Sequence, residues 1–118
     1  MSKTIAREEL KKLLDSSDKT VKILDVLSED HFARGHIKGA ISLPFGKIDK
    51  YAHRILDPND KIIVYCANTQ CQASPAAAEK LMAMGFGNVY DYAEGLHGYK
   101  EAGFPVEEGF DAAARGVR

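Results

Sequence analysis

Two short runs constrain this chain more than any other feature. VKILDV (21–26) and KIIVYC (61–66) are apolar and rich in β-branched residues, each carrying a single lysine. A strand with one wet face alternates apolar and polar residues. A run that is apolar on both faces belongs to a strand covered on both sides, as in a parallel sheet flanked by helices. The segments around these runs have helical spacing. Leu10, Leu13 and Leu14 share one face of IAREELKKLLDS, with Ile5 and Leu10 placed as a hydrophobic staple around the weak cap Ala6. Ser28 is a candidate N-cap and Gly35 a stop for 28–35, and Ile48, Tyr51, Ala52 and Ile55 mark a helix within 45–56. GAISLP (39–44) and NVYDY (88–92) read as further strands. SPAAAEKLMAMGF is expected to start a helix with Ser74 as N-cap and Pro75 at the first position, ending at Gly85. LHGYKEAGFPV is a short helix stopped at Gly103 with Pro105 beyond. Strands alternating with helices predict an α/β fold with a parallel-rich sheet.

The 118 residues suffice for one core, and 45% hydrophobic with 28% charged residues is a globular composition. One domain is expected over 1–107, with a loosely ordered tail over 108–118. Net charge is −1 with both signs interspersed, which gives no basic surface for nucleic acid or an anionic membrane. No apolar run reaches bilayer length, and MSKTIAREEL lacks the apolar centre of a secretory signal. A cytoplasmic monomer is the expectation. There, the two cysteines are expected to be reduced and reactive or buried rather than a structural staple.

Both cysteines fall in VYCANTQCQASP (64–75), directly after the strongest strand. Ligands of open parallel sheets gather at the carboxyl ends of strands, and Cys66 closes one. A polar loop followed by a helix start can turn its N–H groups inward and add the positive end of the helix dipole. Both favour thiolate, the reacting form of cysteine. The competing readings are an inert buried thiol and a zinc ligand. The C-x4-C spacing, without a second cysteine pair and with His31, His36, His53 and His97 scattered, does not complete a zinc set. No metal or organic cofactor is implied.

Three segments in order now carry a resemblance. ILDVLSEDHFARGHIKGAISLP resembles the first half of a rhodanese-like domain, KIIVYC with its loop and helix resembles that family's active-site strand, and VYDYAEGLHGYKEAGFPV is similar to its closing segment. The resemblance spans about residues 4 to 107. It implies a five-stranded parallel sheet with helices on both faces and a sulfurtransferase, or sulfane-sulfur carrier, that forms a persulfide on a cysteine. Carried over by position, Cys66 is the nucleophile. The backbone of Ala67, Asn68, Thr69, Gln70, Cys71, Gln72 and Ala73 is the cradle for an anionic donor. Partners would be a small sulfur donor (polysulfide, persulfide or thiosulfate) and a thiol or protein acceptor. Asp25 and His36 match motif positions and are read as structural. Gly35, Gly39 and Gly95 are expected at turns where a side chain would clash.

Leu27, Lys38 and Tyr99 depart from the family pattern, where Arg, Pro and Trp are usual. The loop departs most: it is longer, holds no charged side chain and contains Cys71. Weak activity with thiosulfate, a dianion, follows as an expectation. The longer loop resembles the phosphatase and arsenate-reductase branch of the fold, but Gln72 and Ala73 stand near where that branch has Arg, which disfavours its chemistry. Cys71 is either a wall of the loop or a resolving thiol for Cys66. A non-catalytic interaction module and a thiol redox sensor remain the rival functions. Whether His53, Arg54 or His97 reaches the site mouth is open at this stage.

Overall fold

A computed structural model of the chain describes residues 3–109. In chain order the elements are β1 (Lys3–Thr4), α1 (Arg7–Asp15), β2 (Val21–Asp25), α2 (Glu29–Arg34), β3 (His36–Ile37), β4 (Ile41–Ser42), a 3-10 turn (Phe45–Lys47), α3 (Ile48–Ile55), β5 (Lys61–Tyr65), α4 (Ala73–Ala83), β6 (Val89–Asp91), α5 (Gly95–Glu101) and β7 (Val106–Glu107). Five strands form one sheet in the order β1-β6-β5-β2-β4, with every pairing parallel. β5, the strand that delivers Cys66, is at its centre.

The two apolar runs are covered on both faces, as their composition demands. Along them, Leu24, Val26, Ile62, Val64 and Cys66 face the layer holding α3 and α4, where Ile48, Ala52, Ala77, Ala78 and Leu81 pack. Ile23, Ile63 and Tyr65 face the other way, onto Leu10 of α1 and Tyr99 of α5. The alternation follows from the period of two along a strand. Each of the fully buried Leu and Ile side chains stabilises the fold by about 1.5–3 kcal/mol relative to an exposed one. Ile5 and Leu10 join this second cluster, so the staple forms, while Ala6 caps α1 without a side-chain hydrogen bond. Ser28 Oγ accepts from the His31 N–H at 3.3 Å and caps α2.

Several boundaries differ from the sequence expectation. α4 begins at Ala73 with Gln72 as N-cap, so Ser74 and Pro75 lie inside the first turn. Ser74 is buried, its hydroxyl turned towards the core rather than back over the helix end. The 39–44 strand contracts to two residues at the sheet edge, and the helix over 45–56 is preceded by a 3-10 turn. β1, β3 and β7 were not read from the sequence. Each is two residues long, too short for a period, and exists only through pairing with β6 or with each other. β3 and β7 form a small antiparallel sheet that ties the closing segment to the residues after α2. The Gly109 N–H donates to Ala33 O at 2.6 Å, and most of the 108–118 tail lies outside the described residues. Among the described residues no helix is long and apolar enough to cross a membrane.

Candidate active site

Cys66 follows β5 directly and is 1% exposed. It is joined to Cys71 by a disulfide, with the two Cα atoms 6.4 Å apart. That separation falls in the range a disulfide requires. The expectation of two reduced thiols is thus replaced by an oxidised pair. The loop brings them together because it folds around Asn68. Asn68 Oδ1 accepts the Gln70 N–H at 2.9 Å, and Asn68 O accepts the Cys71 N–H at 3.2 Å. This turn, typical of Asn, sets Cys71 against Cys66. It also engages two of the seven amides expected to cradle the sulfur, those of Gln70 and Cys71. A polar neighbour of the sulfur is a side chain. Ser74 Oγ lies 3.6 Å from Cys66 Sγ. Ala67, Cys71 and Ala73 are half-buried, while Asn68, Thr69, Gln70 and Gln72 are exposed.

The other side of the strand end is held by backbone. The Leu96 N–H donates to Cys66 O at 2.9 Å and the His97 N–H to Ala67 O at 2.8 Å, so the first turn of α5 uses its unpaired amides on the end of β5. Gly95 makes this approach feasible. Its φ is +67°, and a Cβ there would sit 2.5 Å from Cys66 O and 2.8 Å from Ala67 C and Asn68 N. Of the three glycines singled out, Gly95 alone meets the full expectation. Gly39 has φ +89° but open space, and at Gly35, where the backbone is extended, a Cβ would meet only Leu96 at 4.0 Å.

Asp25 and His36 build the scaffold. Asp25 Oδ1 accepts the Leu27 N–H at 3.0 Å, and its backbone carbonyl accepts the Leu43 N–H at 2.9 Å. Burial pushes the Asp25 carboxyl above its ordinary range, against the opposing pull of the Leu27 amide and the Tyr65 hydroxyl. The Tyr65 hydroxyl in turn accepts the Ile37 N–H at 3.0 Å. His36 stacks on Phe32 with ring centroids 3.6 Å apart, and its Nδ1 is 2.8 Å from Phe32 O. Tyr99 packs edge-on against Tyr92 and Phe104, filling a core position.

A cavity of about 550 Å³ opens beside the loop at Ala67 and Asn68. Leu27, Gly35 and Leu96 form apolar wall, His31, His97 and Lys100 supply polar groups, and the carboxylate of Glu101, 3.5 Å from His97 Nε2, also lines it. The loop itself holds no cation. The structure brings Lys100 and two histidines from α2 and α5 instead. His97 reaches the cavity, whereas His53 stacks against Phe86 and Arg54 lies over Tyr51. Nothing in the sequence marked His31 or Lys100, because only a cavity bordered by both α2 and α5 gives them a common space.

Two buried polar residues on the sulfur's side of the sheet are not marked by the sequence pattern, Ser74 beside the sulfur and Asp91 on the same face. Ser74 was read as a helix cap and Asp91 as an ordinary strand residue. The register pairs Asp91 with Val64, so its side chain shares the face of Val64 and Cys66, towards α4. Asp91 is 6% exposed, and its carboxyl is held above the ordinary range by burial, with the Ser74 hydroxyl as the opposing hydrogen-bond donor.

The comparisons agree with this architecture. The rhodanese-like domain family model matches residues 6–102. The putative sulfur carrier protein YrkF of Bacillus subtilis is 32% identical over 92 residues, which cover 78% of this chain and 48% of that protein. The thiosulfate sulfurtransferase GlpE of Coxiella burnetii is 29% identical over 100 residues, covering 85% of this chain and 89% of that one. The crystal structure of the Anabaena protein Alr3790 superposes with a TM-score of 0.82 at 29% identity, covering 91% of this chain and 82% of that chain. The chain spans about half the length of the first curated relatives it matches, 48% of one and 45% of the other. A central Cys-bearing strand, the parallel order around it and the match along residues 6–102 place this chain in the rhodanese-like domain family.

Proposed function

We propose that this domain is a sulfurtransferase or sulfane-sulfur carrier in which Cys66 holds the transferred sulfur as a persulfide. The observation that carries this reading is the position of Cys66 at the carboxyl end of the central strand, bonded to a second thiol from its own loop. The names of the relatives, sulfur carrier and thiosulfate sulfurtransferase, point the same way. Once a thiol reductant opens the disulfide, the Cys66 thiolate attacks the outer sulfur of a persulfide donor. Cys66–S⁻ and R–S–S⁻ become Cys66–S–S⁻ and R–S⁻. An acceptor thiolate then takes the outer sulfur and returns Cys66–S⁻. With no acceptor present, the persulfide takes a proton from water and Cys71 thiolate attacks the inner sulfur of Cys66–S–SH. The S–S bond to the outer sulfur breaks, HS⁻ leaves, and the disulfide is restored. The loop residues 67–73 flank the donor, and Lys100 supplies the cation for its anionic end in the adjoining cavity, where His97 is taken up by Glu101. Persulfide and polysulfide are the preferred donors over thiosulfate, because the loop itself holds no cation.

Intact-mass measurement of reduced protein after exposure to polysulfide, thiosulfate and mercaptopyruvate in turn tests the reading. One added sulfur atom on Cys71→Ser, which cannot discharge the persulfide, and none on Cys66→Ser supports it, and no adduct on Cys71→Ser with any donor refutes it. The disulfide also favours a second reading, a redox sensor in which Cys66–Cys71 is the signal. Turnover that survives Cys71→Ser separates the carrier from the sensor.

A further inference from the structure

We propose that Asp91 takes the proton of Cys66 through the hydroxyl of Ser74, making Ser74 and Asp91 positioning residues for the thiolate. The inference rests on the reading of Cys66 as a nucleophile and adds the base that reading lacks. The loop offers none: apart from Cys71, residues 67–73 have no titratable side chain. His31 and His97 line the cavity beside Ala67 and Asn68, while the sulfur sits in the core layer with α4. On the sulfur's side three buried polar groups come together. Cys66 is 1%, Ser74 2% and Asp91 6% exposed. Ser74 Oγ is 3.6 Å from Cys66 Sγ, and the same hydroxyl acts on the Asp91 carboxyl. Asp91 Oδ1 is buried with no hydrogen-bond partner among the described residues. An orphaned carboxylate oxygen in such a place calls for an explanation.

A serine hydroxyl has one proton and two lone pairs, so it can accept from one neighbour while donating to the other. With a dithiol having reduced the disulfide and Asp91 ionised, Ser74 donates to the carboxylate and presents a lone pair to the Cys66 S–H. The relay then moves two protons in one direction. The thiol proton passes to Ser74 Oγ, and the former hydroxyl proton passes to an Asp91 oxygen. The S–H and O–H bonds broken are matched by two O–H bonds formed, and no electron is exchanged. Ser74 ends by donating to the thiolate, and Asp91 ends as an acid donating to Ser74. The single negative charge moves from carboxylate to sulfur without leaving the site, so no additional charge is buried.

The other charged groups around Asp91 are directed elsewhere. Lys3 of β1 and Lys61 of β5 lie over the Tyr90 ring, 5.4 and 5.1 Å from its centroid, on the opposite face of the sheet. On α4, Lys80 pairs with Asp49 at 2.8 Å and Glu79 is exposed. Beyond β6, Glu94 is held by Arg7. Tyr65 points to the other layer. Burial and Ser74 are what set the proton affinity of Asp91.

The test is infrared difference spectroscopy of the full chain, reduced by a small dithiol minus oxidised, at neutral pH. It is joined to the pH profile of iodoacetamide alkylation in a Cys71→Ser background. Reduction is expected to add a protonated-carboxyl C=O band that is lost in Asp91→Asn and in Ser74→Ala and restored in Ser74→Thr. Alkylation should rise in two inflections, the sign of a coupled pair, and in one after Asp91→Asn. Ser74→Ala should slow it at neutral pH on the order of tenfold, one unit of thiol acidity. A wild-type spectrum without the band, a band that survives Asp91→Asn, or one that persists in Cys66→Ser overturns the relay. Should Asp91→Asn fail to fold, the wild-type band and the Ser74 pair decide. Sulfur loading by intact mass is scored separately, in the Cys71→Ser background. Persulfide without the band removes the relay alone, and the band without persulfide removes the carrier reading alone.

Discussion

Replacing Gly95 by alanine tests how closely the site depends on the contact between α5 and the end of β5. Two costs can be separated. The first is conformational: a residue with a Cβ held at φ +67° loses about 1–2 kcal/mol. The second is steric. The new Cβ would stand 2.5 Å from Cys66 O, a backbone atom that cannot swing away as a flexible side chain does. Relief requires α5 to retreat, which stretches the bonds from Leu96 and His97 to Cys66 and Ala67. Each is worth about 0.5–1.5 kcal/mol net. The sum is roughly 2–5 kcal/mol, a large share of the 5–15 kcal/mol typical of a whole domain. Gly39→Ala is the control, because Gly39 has φ +89° with nothing within 4 Å of an added Cβ. It should lose the conformational part only, about 1–2 kcal/mol. Urea unfolding of both variants in the oxidised state measures the difference, and Cys66 alkylation after reduction shows whether the loop has shifted. Equal losses at the two glycines would refute the argument that close approach, rather than backbone conformation, makes Gly95 necessary.

Cys71→Ser should leave Cys66 unprotected, so peroxide carries it past sulfenic acid to sulfinic acid while wild type stops at the disulfide, as peptide mass mapping will reveal. Lys100→Glu should raise the KM for an anionic polysulfide severalfold and leave alkylation by uncharged iodoacetamide unchanged, since Lys100 lines the cavity and does not touch the sulfur. In the oxidised protein, burial holds Asp25 and Asp91 above the ordinary carboxyl pKa of 3.8. The native state therefore binds these protons more tightly than the unfolded chain. Their contribution to stability is present below that ordinary value, declines as pH rises through the native-state values, and is flat above. Asp25→Asn should flatten part of this decline in urea titrations across pH, and an unchanged slope would contradict the burial argument.

The layered α/β architecture was legible in the sequence because its cause is local. Two doubly apolar runs can be satisfied only in a strand covered on both faces, and leucines at helical spacing supply the cover. Cys66 was legible for the same reason: a thiol at the end of such a run comes to the carboxyl edge of the sheet. Other features had no local cause. β1, β3 and β7 are two residues each and exist by pairing with distant partners. Asp91 and Ser74, seventeen positions apart in the chain, come to one face of the sheet through strand register and the inward turn of a helix start. His31 and Lys100 share a cavity only because α2 and α5 both border it. Periodicity and composition report which face of an element is buried. They carry no information on which polar groups from separate elements end up facing one another, and that is where the candidate chemistry of this domain is assembled.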